Sequence, residues 1–297
     1  MREHPRYTLV TPARNEAAYI EDTIKAVMAQ TVLPEKWVIV SDGSTDRTDE
    51  IVKGYEKDHD FVQLLRRESD PKRDFGSKVY THRAGVEQLK GVEYDYLGNL
   101  DADVTFEPDY YEQVLEKMEL DPEIAICGGT LYYHTKKGRK VWQHTNPNWS
   151  VSGPIQLFRR KCYEEIGGFF PLRLGGEDAT AELMCRMKGW KVRAFPSLGV
   201  HHLRPTGTVG GGTLSSRVRL GKLIHSLGFH PVFAVFWALN KVRQEPYVIG
   251  AICIMIGCWG SVLRRRPLAV PEELVQYRRK EHRDRLKALL RRLVGRK

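Results

Sequence analysis

The chain has 297 residues, an apolar fraction of 41% and a formal net charge of +10. This composition is ordinary for a soluble protein with a buried core, and it excludes a chain that lacks one. The five cysteines have no CxxC spacing and form no paired framework, which argues against a structural zinc site and favours a reducing compartment. We therefore expect a protein that faces the cytosol.

Strand and helix patterns alternate through the first hundred residues. Apolar runs predict strands at residues 7–10, 37–40, 61–65 and 94–100. Amphipathic or capped segments between these runs predict helices, the last of them at residues 78–89. The alternation predicts an α/β fold with a mostly parallel, doubly wound sheet flanked by helices. In such folds the ligand lies over the carboxyl ends of the strands.

Carboxylates follow three of the four predicted strands: Glu16 the first, Asp42 the second, and Asp101 and Asp103 the fourth. Because the ends of parallel strands meet at one edge, a single crevice would collect them. Carboxylate oxygens spaced two residues apart suit Mg²⁺ or Mn²⁺ with a diphosphate. Neither GxGxxG nor GxxxxGK[ST] occurs, so a metal would have to neutralise the phosphates. The pattern predicts a nucleotide-sugar site.

Four motifs together resemble those of the family 2 glycosyltransferases of the GT-A fold. They are Thr-Pro-Ala-Arg-Asn-Glu at residues 11–16, Ser-Asp-Gly-Ser-Thr-Asp at residues 41–46, Asp-Ala-Asp at residues 101–103 and Gly-Glu-Asp at residues 176–178. The resemblance covers roughly residues 5–205. It implies a GT-A, Rossmann-like sheet and an inverting transferase that uses a nucleotide-diphosphate sugar. Ser41 and Thr180 depart from the family pattern, which often has Asp at both positions.

The resemblance also implies which residues bind the donor. These residues are Pro12, Ala13, Glu16, Asp42, Lys78, Asp101 and Arg204. Pro12, Ala13 and Glu16 would line the base and ribose, and Asp42 would accept the base N–H. Residues 42–46 have a simpler interpretation as a helix N-cap, and Arg204 could face acidic lipid instead of the diphosphate. UDP is the expected nucleotide, with GDP and dTDP as alternatives.

Asp101, Asp103 and His202 are the metal ligands that the resemblance implies, for Mn²⁺ or Mg²⁺. A neutral imidazole can complete a shell of carboxylates. His201 is the alternative, but neighbouring residues on a strand point in opposite directions, so only one of the two can coordinate. The sequence His-Leu-Arg at residues 202–204 resembles the family pattern and favours His202.

The catalytic base that the resemblance implies is Asp178, with Glu177 as a supporting acid. Both residues follow Gly175 and Gly176 and lie in the first turn of a predicted helix, where a carboxylate is stabilised. Inversion at an anomeric carbon requires a base that deprotonates the acceptor hydroxyl as it attacks. A helix-capping pair is the simpler interpretation of the same two residues.

The last ninety residues differ in composition from the rest. Residues 231–239 are apolar on every side, and residues 247–263 contain no charged side chain. A helix over the second run would be about 25 Å long at ~1.5 Å per residue, which is short of the ~30 Å hydrocarbon core. The chain beyond residue 263 has thirteen Lys/Arg and four Asp/Glu, a net charge of +9.

The composition of this C-terminal region predicts association with a membrane surface, with the two apolar helices forming a shallow hairpin in one leaflet. The same helices could instead pack between the protomers of a homo-oligomer. A buried core helix with a solvated charged tail is the alternative. Nucleic acid is not expected as a partner, because no DNA- or RNA-reading motif accompanies the charge. We predict a catalytic domain at residues 1–205 and a helical, basic, membrane-associated C-terminal extension at residues 206–297.

The sequence therefore predicts a metal-dependent, inverting glycosyltransferase. It would move one sugar per encounter to a lipid-linked or glycan acceptor at the cytosolic face of the membrane. Processive synthesis is disfavoured, because the Gln-x-x-Arg-Trp motif of processive relatives does not occur. The alternative function is a non-catalytic scaffold or partner protein of a glycan-assembly complex, suggested by Ser41 and Thr180.

Overall fold

The computed structural model describes residues 5–68, 76–135, 137–142, 148–204, 213–243 and 246–294. The chain divides into two compact units. Unit 1 contains Met1–Arg173 and Glu177–Pro205, and unit 2 contains Leu174–Gly176 and Thr206–Lys297. Unit 1 holds the sheet, and unit 2 is helical.

The first half of unit 1 alternates strands and helices, as the apolar runs predict. The elements are β1 (Tyr7–Ala13), α1 (Ile20–Met28), β2 (Lys36–Asp42), α2 (Thr48–Asp58), β3 (Val62–Arg67), α3 (Ser77–Glu87) and β4 (Tyr96–Leu100). The four strands are parallel and lie in the order β3-β2-β1-β4. Their carboxyl ends therefore share one edge of the sheet.

The second half of unit 1 makes the sheet mixed. The elements are β5 (Val104–Phe106), α4 (Tyr110–Leu120), β6 (Ile124–His134), β7 (Lys140–Trp142), β8 (Ile155–Arg159), α5 (Arg160–Glu165), α6 (Glu177–Met187) and β9 (Lys191–His202). Strand β8 pairs antiparallel with both β4 and β6, whereas β6 and β9 are parallel. Strand β9 also pairs with β5, which returns the chain to the residues that follow β4.

Two local features differ from the sequence expectation. A turn is expected at Pro196, but β9 continues through it, because the pairing with β6 shifts register between Gly128 and Thr130 and absorbs the irregularity. Strands β5 and β7 have three residues each, too few to produce a periodic pattern. Both strands are formed by pairing with a neighbour and not by local preference.

Helix α3 packs closely on the parallel strands because of Gly85. A Cβ at this position would lie 2.5 Å from Val10 Cγ1 and 2.9 Å from Val40 Cγ2. These side chains belong to β1 and β2 and are fully buried. The close contact sets the height of α3 on the sheet, and with it the position of Lys78 in the first turn of the helix.

The described part of unit 2 contains four α-helices and a short 3-10 helix at Lys241–Arg243. The α-helices are α7 (Thr213–Ser226), α8 (Pro231–Asn240), α9 (Tyr247–Leu263) and α10 (Glu272–Val294). Helices α7 and α9 meet through glycines, since a Cβ at Gly221 would lie 2.0 Å from Ile254 O and one at Gly257 would lie 2.1 Å from Val218 O. Within the described part of the chain, no helix combines the length and apolar character needed to cross a membrane.

A buried carboxyl group links α6 to the loop before β8. Glu182 is 3% exposed and accepts hydrogen bonds from Val151 N at 2.6 Å and Ser150 Oγ at 3.2 Å. Burial raises the pKa of Glu182 to about 7, against the opposing effect of the Arg186 guanidinium. Glu182 therefore holds the loop at residues 150–153 against α6, one helical turn after Asp178.

The raised pKa of Glu182 predicts a dependence of stability on pH. The folded protein binds this proton more tightly than the unfolded chain does, so the stabilisation is complete below the ordinary pKa of 4.5 and is lost as the pH rises to about 7. The free energy of unfolding should therefore decrease over this pH range. In the variant Glu182→Gln this decrease should be smaller by about 3 kcal/mol. The measurement is the free energy of urea unfolding across that pH range.

Glu116 on α4 is exposed, so Glu116→Gln is the matched control and should keep the wild-type pH dependence. An unchanged slope in Glu182→Gln would contradict the assignment of a raised pKa to Glu182.

Candidate active site

Hydrogen bonds join the loop after β1 to the loop after β2. Thr45 N donates to Asn15 Oδ1 at 2.8 Å, and Glu16 N donates to Thr48 Oγ1 at 2.9 Å. Asn15 has a φ of 53°, a left-handed conformation that Asn tolerates better than most residues. These contacts fix Glu16 beside the carboxyl end of β2.

The side chain that hydrogen-bonds to the first residue of α2 is that of Asp46, which precedes the N-cap residue Arg47. Asp46 accepts hydrogen bonds from Thr48 N at 3.0 Å and from Ala17 N at 3.0 Å. Burial alone would raise the pKa of Asp46, but these hydrogen bonds lower it. Asp42 is the last residue of β2 and is 5% exposed. Within residues 42–46, Asp46 therefore makes the contact with the start of α2, and the contact of Asp42 with a nucleotide base stays a prediction.

Asp103 is the centre of a first group of side chains, which we call the Asp103 cluster: Glu16, Asp103, His202 and Arg204. His202 Nε2 lies 3.1 Å from Asp103 Oδ2, and Arg204 Nε lies 2.5 Å from the same oxygen. Arg204 Nη2 also donates to Glu16 Oε1 at 2.6 Å. The pairing of Val104 with His202 in β5 and β9 brings these residues together across about a hundred positions of sequence.

Electrostatics distinguishes the two carboxyl groups of this cluster. Burial would raise the pKa of Asp103, but His202 and Arg204 lower it. Burial raises the pKa of Glu16, and Arg204 opposes this only in part because Asp103 and Asp101 add negative charge. Glu16 Oε2 is buried and has no hydrogen-bond partner within the described part of the chain. It is an acceptor that a ligand hydroxyl or amide could satisfy.

Lys78 is the centre of a second group, which we call the Lys78 cluster: Lys78, Asp101, Glu177 and Asp178. Lys78 Nζ donates to Asp101 Oδ1 at 2.7 Å. Burial would lower the pKa of Lys78, but Asp101, Glu177 and Asp178 outweigh burial and raise it. Burial and the neighbouring Asp178 raise the pKa of Glu177, and Lys78 opposes them. The cluster joins the end of β4 to the first turn of α6.

The loop at residues 150–154 connects Asp178 to the strand that carries Asp101. Asn99 Nδ2 donates to Gly153 O at 2.5 Å, and Asp101 N donates to Pro154 O at 3.0 Å. A Cβ at Gly153 would lie 2.8 Å from Asp178 Oδ2. Asn99, Gly153 and Glu182 thus position the predicted base, and none of them was identified from sequence. Gly153 lies inside the run at residues 151–158, which predicts a strand, and Glu182 has the spacing of an ordinary charged helix face.

The Asp103 cluster fits a divalent cation in part. Asp103 and His202 offer one carboxylate and one imidazole within 3.1 Å of each other, a donor pair that suits Mn²⁺. No group of three or more His, Cys, Asp or Glu side chains that could hold a metal is present among the residues that the structure describes. Asp101, the other predicted ligand, is paired with Lys78 in this structure, and its role as a metal ligand stays a prediction.

His201 faces away from this cluster. Its ring stacks on Tyr132 with centroids 5.1 Å apart, and its Nε2 lies 3.1 Å from His134 Nδ1. The structure thus brings His202, and not His201, to Asp103, as the alternation of side chains along a strand requires. Pro12 and Ala13 lie at the end of β1, paired with Val40 and Ser41 of β2.

Comparison with known proteins identifies the family. The sequence model of glycosyl transferase family 2 matches residues 8–180, more than half of the chain. A curated relative is the poly-beta-1,6-N-acetyl-D-glucosamine synthase of Staphylococcus aureus strain COL, which is 23% identical over 262 residues. That match covers 82% of this chain and 59% of the relative, so the chain spans well under two thirds of the length of the relative.

Solved structures share the fold. The mannosyltransferase PcManGT of Pyrobaculum calidifontis, in complex with GDP-Man and Mn²⁺, aligns with a TM-score of 0.55 and 15% identity over 99% of this chain and 88% of that one. Residues 1–349 of S. aureus TarS, in complex with UDP-GlcNAc, align with a TM-score of 0.59 and 14% identity over 91% of this chain and 82% of that one.

These structural neighbours establish a GT-A fold, with a mixed sheet flanked by helices and a helical C-terminal region. Together with the family model, they show that the chain belongs to glycosyl transferase family 2.

Proposed function

We propose that this protein is a metal-dependent, inverting glycosyltransferase that uses a nucleotide-diphosphate sugar. The observation that carries the proposal is the meeting of the Lys78 cluster and the Asp103 cluster across residues 101–103. A donor bound over these residues would lie between Glu16 and the first turn of α6. The crystallised relatives with GDP-Man and with UDP-GlcNAc support a donor of this class.

The residues of the two clusters divide the chemistry between them. Asp178 would accept the proton of the acceptor hydroxyl as that oxygen attacks the anomeric carbon, and Glu177 would support it. The positive charge of Lys78 favours the ionised form of the carboxylates around it. A carboxylate can accept a proton only in that form. Glu16 would hold the nucleoside through its unpartnered oxygen, and Arg204 would contact the diphosphate.

Asp103 and His202 would hold the metal ion. A bound divalent cation would neutralise the charge that develops on the leaving diphosphate. Mn²⁺ is the ion in the complex of the mannosyltransferase, and we propose Mn²⁺ or Mg²⁺ here.

The acceptor that we propose is a lipid-linked or glycan hydroxyl at the cytosolic face of a membrane. Unit 2 supports this, because α8 and α9 expose large apolar side chains that soluble surfaces rarely present together. They are Val232, Phe236 and Leu239 on α8 and Val248, Ile249, Ile252, Ile256, Trp259 and Leu263 on α9.

We propose that one sugar is added per encounter, on the ground that the Gln-x-x-Arg-Trp motif does not occur in the sequence. The curated relative is named as the synthase of a polymer. The length distribution of the product, measured by mass spectrometry at excess donor, decides between single addition and polymerisation.

Replacing Asp178 by Asn should decrease the turnover number for sugar transfer by roughly 10²–10⁴-fold, because the amide cannot accept the acceptor proton. The dissociation constant of the donor should stay within a few-fold of the wild-type value. The measurements are transfer of radiolabelled sugar to acceptor and donor binding by calorimetry. Full transfer activity in Asp178→Asn would overturn the assignment of the base.

The donor nucleotide and the metal can be identified in one thermal-shift panel of UDP, GDP and dTDP, each with and without Mn²⁺. A nucleotide at 100 times its dissociation constant adds about 2.7 kcal/mol of stability. The matching nucleotide should raise the melting temperature more with Mn²⁺ than without it. Replacing Asp103 by Asn should abolish this Mn²⁺-dependent increment.

Asp60→Asn is the matched control, because Asp60 is exposed and precedes β3 at the opposite edge of the parallel strands. An Asp103→Asn variant with the wild-type increment would contradict the metal assignment. A chain that binds no nucleotide and does not hydrolyse any nucleotide-sugar would instead favour the non-catalytic scaffold.

A further inference from the structure

Unit 2 contains a cavity of about 330 Å³ between α7 and the C-terminal end of α9. Its lining includes three basic residues, Lys222, Arg264 and Arg266, and two large apolar ones, Val218 and Ile256. Gly257, where α7 and α9 are in close contact, also lines the cavity. The cavity is therefore open to a small group and presents three cations to it.

The three cations are not neutralised by protein carboxylates. Within the described part of the chain, none of Lys222, Arg264 and Arg266 has an ion pair. Arg264 Nη1 donates to Gly260 O at 3.1 Å, which uses one of the five N–H groups of the guanidinium. Three unneutralised cations around one cavity attract a compact anion, and guanidinium groups bind phosphate oxygens with particular strength.

The apolar part of the cavity lining is continuous with exposed apolar side chains on α9. Ile256 lines the cavity and is also 60% exposed on the outer face of α9. Ile252 and Trp259 lie one turn before and about one turn after it on the same helix and are also exposed. A ligand whose anionic end fills the cavity would thus meet a stripe of apolar side chains with its other end.

The combination of three cations with an adjoining apolar stripe fits one class of ligand. A free phosphate would use the cations and leave the stripe in water, and a second copy of the chain would bring its own three cations against these. An anionic lipid satisfies both parts, because its phosphate matches the cations and its acyl chain matches the stripe.

We propose that the cavity between α7 and α9 binds the phosphate headgroup of an anionic lipid whose acyl chain lies along Ile252, Ile256 and Trp259. This site makes the proposed membrane association more specific, because it assigns the lipid headgroup to one position on unit 2. It rests on that part of the proposed function alone, since sugar transfer has no role in the argument.

The test is cosedimentation of the full chain with vesicles of phosphatidylcholine, with and without phosphatidylglycerol, in the absence of any sugar donor. A cation that contacts the anionic membrane surface is worth roughly fivefold in the partition coefficient, and under this proposal the three cations of the cavity make that contact. The triple variant Lys222→Gln, Arg264→Gln, Arg266→Gln should therefore bind the anionic vesicles on the order of a hundredfold more weakly. Binding to pure phosphatidylcholine should change little.

The matched control removes three other exposed cations of unit 2, in the variant Arg283→Gln, Lys287→Gln, Arg291→Gln on α10. It loses the same net charge and should keep most of the binding. Equal losses in both triple variants would overturn the cavity as the site and leave only diffuse attraction of the basic unit to the surface.

A second experiment distinguishes an anionic lipid from free phosphate as the ligand of the cavity. Ile256→Gln keeps every cation, so it should weaken binding to anionic vesicles if the acyl chain contacts this side chain. Glycerol phosphate in solution should compete poorly. Undiminished vesicle binding by Ile256→Gln, or full competition by glycerol phosphate, would overturn the proposal. Sugar transfer to a soluble acceptor, measured separately on the same variants, reports on the proposed function independently of either result.

Discussion

The candidate site depends on charge neutralisation at one edge of the sheet. Asp103 is almost fully buried, and burial alone would raise its pKa, so nearby cations are needed to keep it ionised. Lys78 pairs with Asp101, and Arg204 pairs with Asp103 and Glu16. The cations come from α3 and from the end of β9, so the folded sheet is required to deliver them. The same contacts that allow these acids to be buried also fix their positions.

The sequence was sufficient to predict the parallel half of the fold. Apolar runs of four to seven residues separated by helical periodicity indicate β1 to β4 and α1 to α3 within a few positions. The second half was less predictable, because β5 and β7 are formed only by pairing and β9 passes through Pro196. Helix α7 lies within the predicted helical extension at residues 206–297, but the sequence did not indicate its bounds. In each case the deciding interaction is distant in sequence.

The candidate site was predictable as a set of acids but not as a set of contacts. Strand ends and the family resemblance indicate Glu16, Asp42, Asp101, Asp103 and Asp178, and the structure brings four of these five into two adjoining clusters. The supporting residues carry no sequence signal of their own. Glu182 lies four positions after Asp178, the spacing of an ordinary charged helix face. The role of Glu182 becomes clear only in the folded structure, where it accepts a hydrogen bond from Val151 N and so holds the buried loop before β8.

Arg204 connects these electrostatics to ligand binding. Its Nε and the ring of His202 share one oxygen of Asp103, and its guanidinium lies over the Tyr19 ring at 5.5 Å. A divalent cation held by Asp103 and His202 would stand close to this guanidinium, and the two positive charges would repel each other. Under the proposed function, a bound diphosphate would reduce this repulsion, because it would offer Arg204 a second anion and would add negative charge beside the metal. Metal and donor should therefore each strengthen the binding of the other, by the reciprocity that any coupling free energy obeys.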